Sequence, residues 1–413
     1  MKQKFILIAS IISLIFIQSC SEKDVEEAII KPSIIIDSYS PVNGLPGDII
    51  TIIGENFGPT TTLNKVKFGD IDATILSSST TQIEVEVPNN LTSTNSQITL
   101  IVDNETKTVG NFNILTDDFN YLTITSIGEL FKIGNNTGYV ESFGSINTGF
   151  NFIMNTITNV SSKIYVVEYG YNPGPVNNLL IYDKITDQTE VVPLELPSSI
   201  VGEEPIIYTL EWDETNQRLI GFLNTNGLGQ GVPTSYLITI NSNDYSVTNT
   251  GITFEQNSST SMVLSNDKIY SASFDSDFMD INLSNNSFST IEFNGEQLYA
   301  TRLTKTDQTD ILMAMKFDSN YEKGYNPVAL DLTNKSITEL SNSTDYTYGF
   351  SNKTGKGFFI NHTYVNIVSD YDFSVGVKNF GVISYDTQTE MFSFVKIRND
   401  NLDRTILVID IVD

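Results

Sequence analysis

Tyrosine, asparagine and aspartate gather in two short segments of this chain, EYGYNPGPVNNLLIYD from Glu168 and NYEKGYNPVALDL from Asn320. Tyr169, Tyr171 and Asn172 stand in the first, and Tyr321, Tyr325 and Asn326 in the second. A third segment, HTYVNIVSDYDFSVGVKN from His362, adds Tyr364, Tyr371 and Phe373. Aromatic rings stack on the apolar faces of sugars or peptides, while amides and carboxylates bond their polar edges. The same residues also build turns: Gly supplies unusual dihedrals, Asn tolerates them, and Pro restricts its predecessor. Ligand contact and plain turn both remain open readings of Gly-Tyr-Asn-Pro.

Other chemistry is thinner. Asp318, Asn320 and Glu322 alternate ahead of Gly324, close to calcium-loop spacing but with the Gly one place late. They are weak metal candidates, and no cofactor is expected. The chain has one cysteine, Cys20, and one histidine, His362. That excludes an internal disulfide framework and a Cys/His zinc site made by this chain alone. A serine triad would need His362, and no G-x-S-x-G elbow is present. A sialidase-type arginine cluster would consume most of Arg218, Arg302, Arg398 and Arg404. Paired carboxylates for glycan hydrolysis need only a suitable separation, which spacing does not decide. No catalytic residue is assigned. The formal charge of −27 repels phosphate backbones and disfavours nucleic acid as a partner.

The elements that would carry these residues start with a targeting segment. Lys2 and Lys4 precede an apolar run from Phe5 to Ile17, too short for a usual membrane span. Ile17-Gln18-Ser19-Cys20 then resembles a bacterial lipobox. The resemblance implies a signal peptide over 1–19 and a diacylglycerol on Cys20, with acyl chains holding the protein in the bilayer. The acidic residues after Cys20 resemble the export signal of Bacteroidetes surface lipoproteins. They imply an outer-membrane, outward-facing location, with 20–31 as tether.

Residues 32–115 follow, with Pro41 after a first strand, Gly47-Asp48 before a second, and Gly54-x-x-Phe57-Gly58. Val66-x-Phe68-Gly69, Ile83 and Pro88 complete the pattern, which resembles the IPT/TIG family of immunoglobulin-like domains. Ile50, Ile52 and Gly54 alternate with Thr51 and Ile53, as a half-buried strand requires. Phe57 is the expected plug between two sheets. Ile83, Val85 and Val87 alternate with Glu84 and Glu86, and Pro88, lacking a donor, ends the strand. The expected role is a spacer.

From residue 119 to 413 a hairpin recurs: GELFKIGNNTGYVESF, NLLIYDKITDQTEVVPL, SYLITINSNDYSVTNTG, DFMDINLSNNSFSTIEF, NPVALDLTNKSITEL and GVISYDTQTEMFSFVKI. Equivalent positions fall at Ile133, Tyr182, Ile240, Ile281, Leu330 and Tyr385, about 50 residues apart. Six four-stranded units at that spacing predict a six-bladed β-propeller, with seven blades the alternative. The pattern resembles divergent NHL/YVTN-type repeats. The first unit lacks an inner strand, and the C-terminal TILVIDIVD is expected to supply it.

In such a fold the connection between second and third strands faces the ligand side, and long connections on a rigid scaffold tend to carry function. Both Gly-Tyr-Asn-Pro copies are expected in that connection, in units two and five, opposite each other across a mouth. The segment from His362 is expected to be the longest such loop. The chain reads as an all-β, lipid-anchored surface protein with a non-catalytic binding face for a glycan, peptide or partner protein. A propeller-type glycan hydrolase or lyase, and an assembly role in the outer membrane, are the alternatives.

Overall fold

The computed structural model describes residues 32–125, 128–146, 153–170, 176–202, 205–225, 234–255, 261–265, 267–273, 277–317, 325–340, 357–372, 376–398 and 406–412. The chain divides into two compact units between Ile114 and Leu115. Cys20 and the segment before it lie outside the described residues.

The first unit is a two-sheet immunoglobulin-like sandwich. One sheet orders its strands Ile35–Ser40, Ile49–Glu55, Gln82–Glu86 and Thr74–Ser78. The other runs Asn43–Gly44, Glu105–Ile114, Asn95–Val102, Asn64–Phe68 and Ile71–Asp72. The alternation read from the sequence sets their faces. Ile50, Ile52, Ile83 and Val85 are fully buried, while Ile53 is 45% exposed on the outer face. Phe57 lies in the core with Phe68 and Phe112, whose rings meet edge to face at 5.6 Å. Gly54 is required by close approach: a Cβ there would sit 2.0 Å from the Ile35 carbonyl oxygen and 2.7 Å from Phe57 Cζ. Buried Asn64 fastens the Gly58 loop, accepting from the Gly58 amide at 2.8 Å and donating to its carbonyl at 2.7 Å.

The second unit, among the described residues, contains six four-stranded antiparallel sheets. Five are simple meanders. Sheet two is Ile153–Val160, Lys163–Gly170, Val176–Asp183 and Gln188–Pro193. Sheet three spans Ile206–Asp213 to Val247–Glu255, and sheet four Ser261–Ser265 to Ser287–Thr290. Sheet five spans Ala300–Lys305 to Ser336–Glu339, and sheet six Phe358–Ile360 to Met391–Lys396. Sheet one takes three strands from Asn120–Thr125, Glu129–Gly134 and Val140–Ser145. Its fourth is the C-terminal Ile406–Val412, paired from Asn120↔Val412 to Thr125↔Ile406. The expected supply of the missing strand by the chain's end is what the structure has.

Each sheet buries apolar side chains against two others. Leu122 and Ile124 of sheet one meet Val166 and Leu180 of sheet two, and Tyr165 and Val167 of sheet two meet Leu219 and Leu223 of sheet three. Phe222 and Met262 join sheets three and four, and Phe278 and Leu312 join four and five. Met313 and Tyr364 join five and six, while Val365 and Val382 of sheet six return to Tyr121 and Ile133 of sheet one. The order is cyclic. Hydroxyls link neighbouring first strands: Thr158 donates to the Leu210 carbonyl at 2.7 Å, and Ser261 accepts from the Leu303 amide at 2.6 Å.

The recurring hairpin has one local cause. At the end of the third strand, Asp183, Asn241, Asn282, Asp331 and Asp386 each accept the amide two residues on, at 2.8–2.9 Å. Such Asx turns replace a backbone bond with a side-chain oxygen. Four residues on, Asp187, Tyr245, Asn286, Lys335 and Glu390 take φ between 51° and 57° to close the turn. The residue before the cap is core: Tyr182, Ile240, Ile281 and Leu330 are at most 1% exposed.

Turn amides hold three of these carboxyls below the ordinary value of 3.8, led by Thr186 for Asp183, Asn334 for Asp331 and Thr389 for Asp386. A carboxyl whose folded pKa is depressed adds stability that is complete above its unfolded value. That stability is lost as pH falls through the folded value. The melting temperature should therefore hold down to about pH 4 and fall below it. The triple change of Asp183, Asp331 and Asp386 to Asn keeps the cap acceptor and should flatten that fall. An unaltered acid limb in the triple variant would show that the turns do not carry it.

Candidate functional site

The ladders place the tyrosine-rich segments by register. In sheet two the second and third strands pair from Lys163↔Asp183 to Gly170↔Val176, with Tyr169 opposite Asn177. In sheet five they pair from Ile311↔Asp331 to Phe317↔Tyr325, with Asn326 opposite Lys316 and Pro327 opposite Met315. Asp183 and Asp331 are equivalent cap residues. Counting back from them, Tyr325 corresponds to Asn177, and Tyr171 lies six residues earlier in the chain. The two Gly-Tyr-Asn-Pro copies are thus not equivalent. The second supplies the first rungs of a strand, whereas Tyr171, Asn172 and Pro173 precede one and lie outside the described residues. The short repeat misleads because strand onset is set by the Asx-capped end of the ladder, not by the Pro.

The expected long loop of unit six is also corrected. Thr363–Asp372 and Gly376–Asp386 are two long strands, joined at 373–375. Thr363, Tyr364, Val365, Ile367 and Val368, opposite Phe380, Val382, Ile383 and Tyr385, favour a strand pair, and the ladder runs from Thr363↔Asp386 to Asp372↔Gly376. Tyr371 pairs with Val377 near the far end, and Phe373 lies outside the described residues.

Tyr364 is removed from the mouth. It stands at the start of its strand, at the end away from the 373–375 connection, and is fully buried. Its hydroxyl donates to the Arg302 carbonyl at 3.4 Å and accepts from Asn366 Nδ2 at 2.9 Å. Burial pushes its phenol up to about 12. The Arg302 guanidinium donates to Asn366 Oδ1 and the Ile367 carbonyl. Tyr364 is a joint between sheets five and six. His362 occupies the turn before that strand, with Nδ1 2.5 Å from an Asp307 carboxylate oxygen.

Tyr169, Tyr325, Asn326 and Tyr371 therefore share the strand ends that lead into or out of second-to-third connections. Polar side chains already reinforce that end. Glu168, 3% exposed, accepts from Asn178 Nδ2 at 2.9 Å. Asn177 donates to the Pro205 carbonyl at 2.9 Å and accepts the Ile207 amide at 3.3 Å, tying sheet two to sheet three. Asn224, at the register position of Tyr169, accepts from Ser235 Oγ at 2.7 Å. Tyr321 and the weak metal candidates Asp318, Asn320 and Glu322 lie outside the described residues. Among the described residues no group of His, Cys, Asp and Glu converges as metal ligands.

A cavity that the sequence did not announce lies at the other end of the sheets. A groove of about 630 Å³ opens between sheets four and five, beside their first-to-second and third-to-fourth turns. Asp267, Lys268, Tyr270, Asp280, Asp310 and Lys335 line it. Lys268 Nζ donates to Asp280 Oδ2 at 2.7 Å, which raises the lysine pKa. The hint in the sequence was Asp280, a carboxylate between Met279 and Ile281 on a strand whose neighbours are apolar.

Residues 34–116 match the IPT/TIG domain. A stretch of 106 residues is 38% identical to the cyclomaltodextrin glucanotransferase of Paenibacillus macerans, spanning 25% of this chain and 14% of that enzyme. Among solved structures, the chain is similar to an auxiliary nutrient binding protein from Bacteroides ovatus, at 11% identity and a TM-score of 0.37. That match covers 89% of this chain and 98% of the other. It is similar to a second auxiliary nutrient binding protein, from Bacteroides thetaiotaomicron, at 13% identity, 92% and 90% coverage and a TM-score of 0.38. A structural genomics protein of unknown function from Bacteroides thetaiotaomicron matches at 14% identity, 86% and 99% coverage and a TM-score of 0.39.

Proposed function

We propose that the chain is a non-catalytic binding protein of the outer cell surface, anchored through a lipid on Cys20. Residues 20–31 form the tether, the IPT/TIG domain is a spacer, and the second unit is a six-bladed β-propeller that offers a ligand face. The cyclic packing of six sheets, closed by Ile406–Val412 on Asn120–Thr125, carries this reading. In that ring every second-to-third connection falls on one face, where Tyr169, Tyr171, Tyr321, Tyr325, Tyr371 and Phe373 supply rings and Asn172 and Asn326 supply amides. Rings beside amides suit a glycan or an extended peptide.

The test has two arms. In membrane fractions of expressing cells, wild type should partition with the outer membrane and Cys20→Ser should not. On glycan and peptide arrays the purified mature chain should bind a defined set of ligands. Tyr171→Ala with Tyr325→Ala should weaken that binding about tenfold or more, as removal of buried aromatic anchors does. Unchanged binding in the double variant would contradict the mouth. Turnover of a polysaccharide, abolished by changing one carboxylate, would replace binding with hydrolysis or lyase chemistry.

A further inference from the structure

The groove between sheets four and five is at the end opposite the proposed mouth, because hairpin turns and second-to-third connections alternate ends in a meander. Its volume falls within the range of small-molecule sites, about 300–1,000 Å³. Its walls identify what it can hold.

Charges of both signs alternate there. Asp267, Asp280 and Asp310 face Lys268 and Lys335. An anion would meet three carboxylates, and a cation would meet two ammonium groups. A neutral molecule that both donates and accepts meets a partner at every wall. The remaining wall is rich in hydroxyls from Ser284, Ser289, Thr290, Thr309 and Thr333.

Asp280 lines the groove and is largely buried: its Oδ2 accepts from the Lys268 ammonium at 2.7 Å, while its Oδ1 is turned away from solvent. A carboxylate oxygen has two lone pairs, so Oδ2 can accept a ligand hydroxyl beside the ammonium, and a hydrogen bond to a charged acceptor is the stronger kind. Tyr270 does not provide a stacking platform. Lys268 Nζ lies 6.0 Å from its ring centroid, and Phe278 packs against it at 6.1 Å. Recognition must run through the hydroxyl edge of the ligand rather than its apolar face.

We infer that this groove is a second binding site, separate from the mouth, for a neutral polyhydroxylated molecule of mono- or disaccharide size, held by Asp280, Asp310 and Lys335. Calorimetric titration of the full mature chain with maltose, cellobiose and lactose tests it, with glucuronate and glucosamine as charged counterparts. At least one neutral disaccharide should bind saturably at millimolar concentration, and both charged sugars more weakly. Asp280→Asn, which keeps shape and removes charge, should weaken binding about tenfold or more, since hydrogen bonds to charged groups are the stronger kind. Lys335→Gln, on an exposed side chain, should weaken it a few-fold without altering the melt. In the Tyr171→Ala, Tyr325→Ala protein, the part of disaccharide binding that Asp280→Asn weakens should persist, whatever part the mouth supplies.

Absence of binding by all three neutral sugars would overturn the inference. So would unchanged affinity in Lys335→Gln together with a folded Asp280→Asn, or equal binding of the charged sugars. Saccharide binding lost only in the tyrosine variant would end this site while leaving the mouth in place.

Discussion

Deleting residues 406–413 should abolish cooperative folding of the second unit while the IPT/TIG domain still melts as a separate transition. The strand Ile406–Val412 is the fourth strand of sheet one, and its loss strips Asn120–Thr125 of one complete ladder. In the intact chain Tyr121, Leu122 and Ile124 of that strand are at most 5% exposed. Exposing side chains of this size costs roughly 1.5–3 kcal/mol each, before the unpaired amides and carbonyls are counted. A typical domain has a margin of only about 5–15 kcal/mol. The effect also spreads, because Leu122 and Ile124 pack on sheet two while Tyr121 packs towards sheet six. Calorimetry of the truncated chain should show one transition in place of two. Retention of the second transition would mean that the ring does not depend on its closing strand.

Phe57→Ala should have the largest effect in the first unit. Phe57 is 3% exposed and lies in the core with Ile52, Ile83 and Phe112. It also abuts the space that Gly54 leaves open. The substitution removes a buried ring and leaves a cavity, a change that costs about 3–5 kcal/mol. In a domain of this size each 1 kcal/mol moves the midpoint by roughly 4–8 °C, so a shift of about 12 °C or more is expected. The second unit's transition should stay in place. A small shift would mean that the two sheets collapse onto the vacated volume.

What was legible in the sequence follows from period and punctuation. Ile50, Ile52, Ile83 and Val85 declared their face by strict alternation, and the buried core agrees. The repeat around Tyr182, Ile240, Ile281 and Leu330 was readable because each precedes an Asx cap, and a cap is encoded within three or four residues. The missing inner strand of the first unit was visible as a deficit at one end of the chain and a surplus at the other.

The errors concern register and depth. Gly-Tyr-Asn-Pro looked like one loop duplicated, yet Tyr325 begins a strand six residues before its cap Asp331, whereas Tyr171 stands twelve residues before Asp183 and outside the described residues. Tyr364 looked like a loop residue because His362 and Thr363 are polar. Its burial depends on Arg302 and Asn366, and Arg302 is 62 residues away in sequence. The groove needed two sheets brought side by side, and its one local trace in LSNDKIY and DFMDINLS was Asp280 between apolar neighbours.

The cyclic closure of six sheets is the claim on which the mouth depends, and a disulfide tests it most directly. Asn120 and Val412 are paired across the closing ladder, 292 positions apart in the numbering. Cysteines at directly paired antiparallel positions fall within bridging distance, whereas chain ends that do not meet cannot be bridged. In a Cys20→Ser background, the protein carrying Asn120→Cys and Val412→Cys should oxidise to an intramolecular disulfide in its folded state. That form should run faster than its reduced counterpart on a non-reducing gel. Two persistently free thiols in the folded protein, under oxidising conditions that bridge an accessible control pair, would contradict the closed ring.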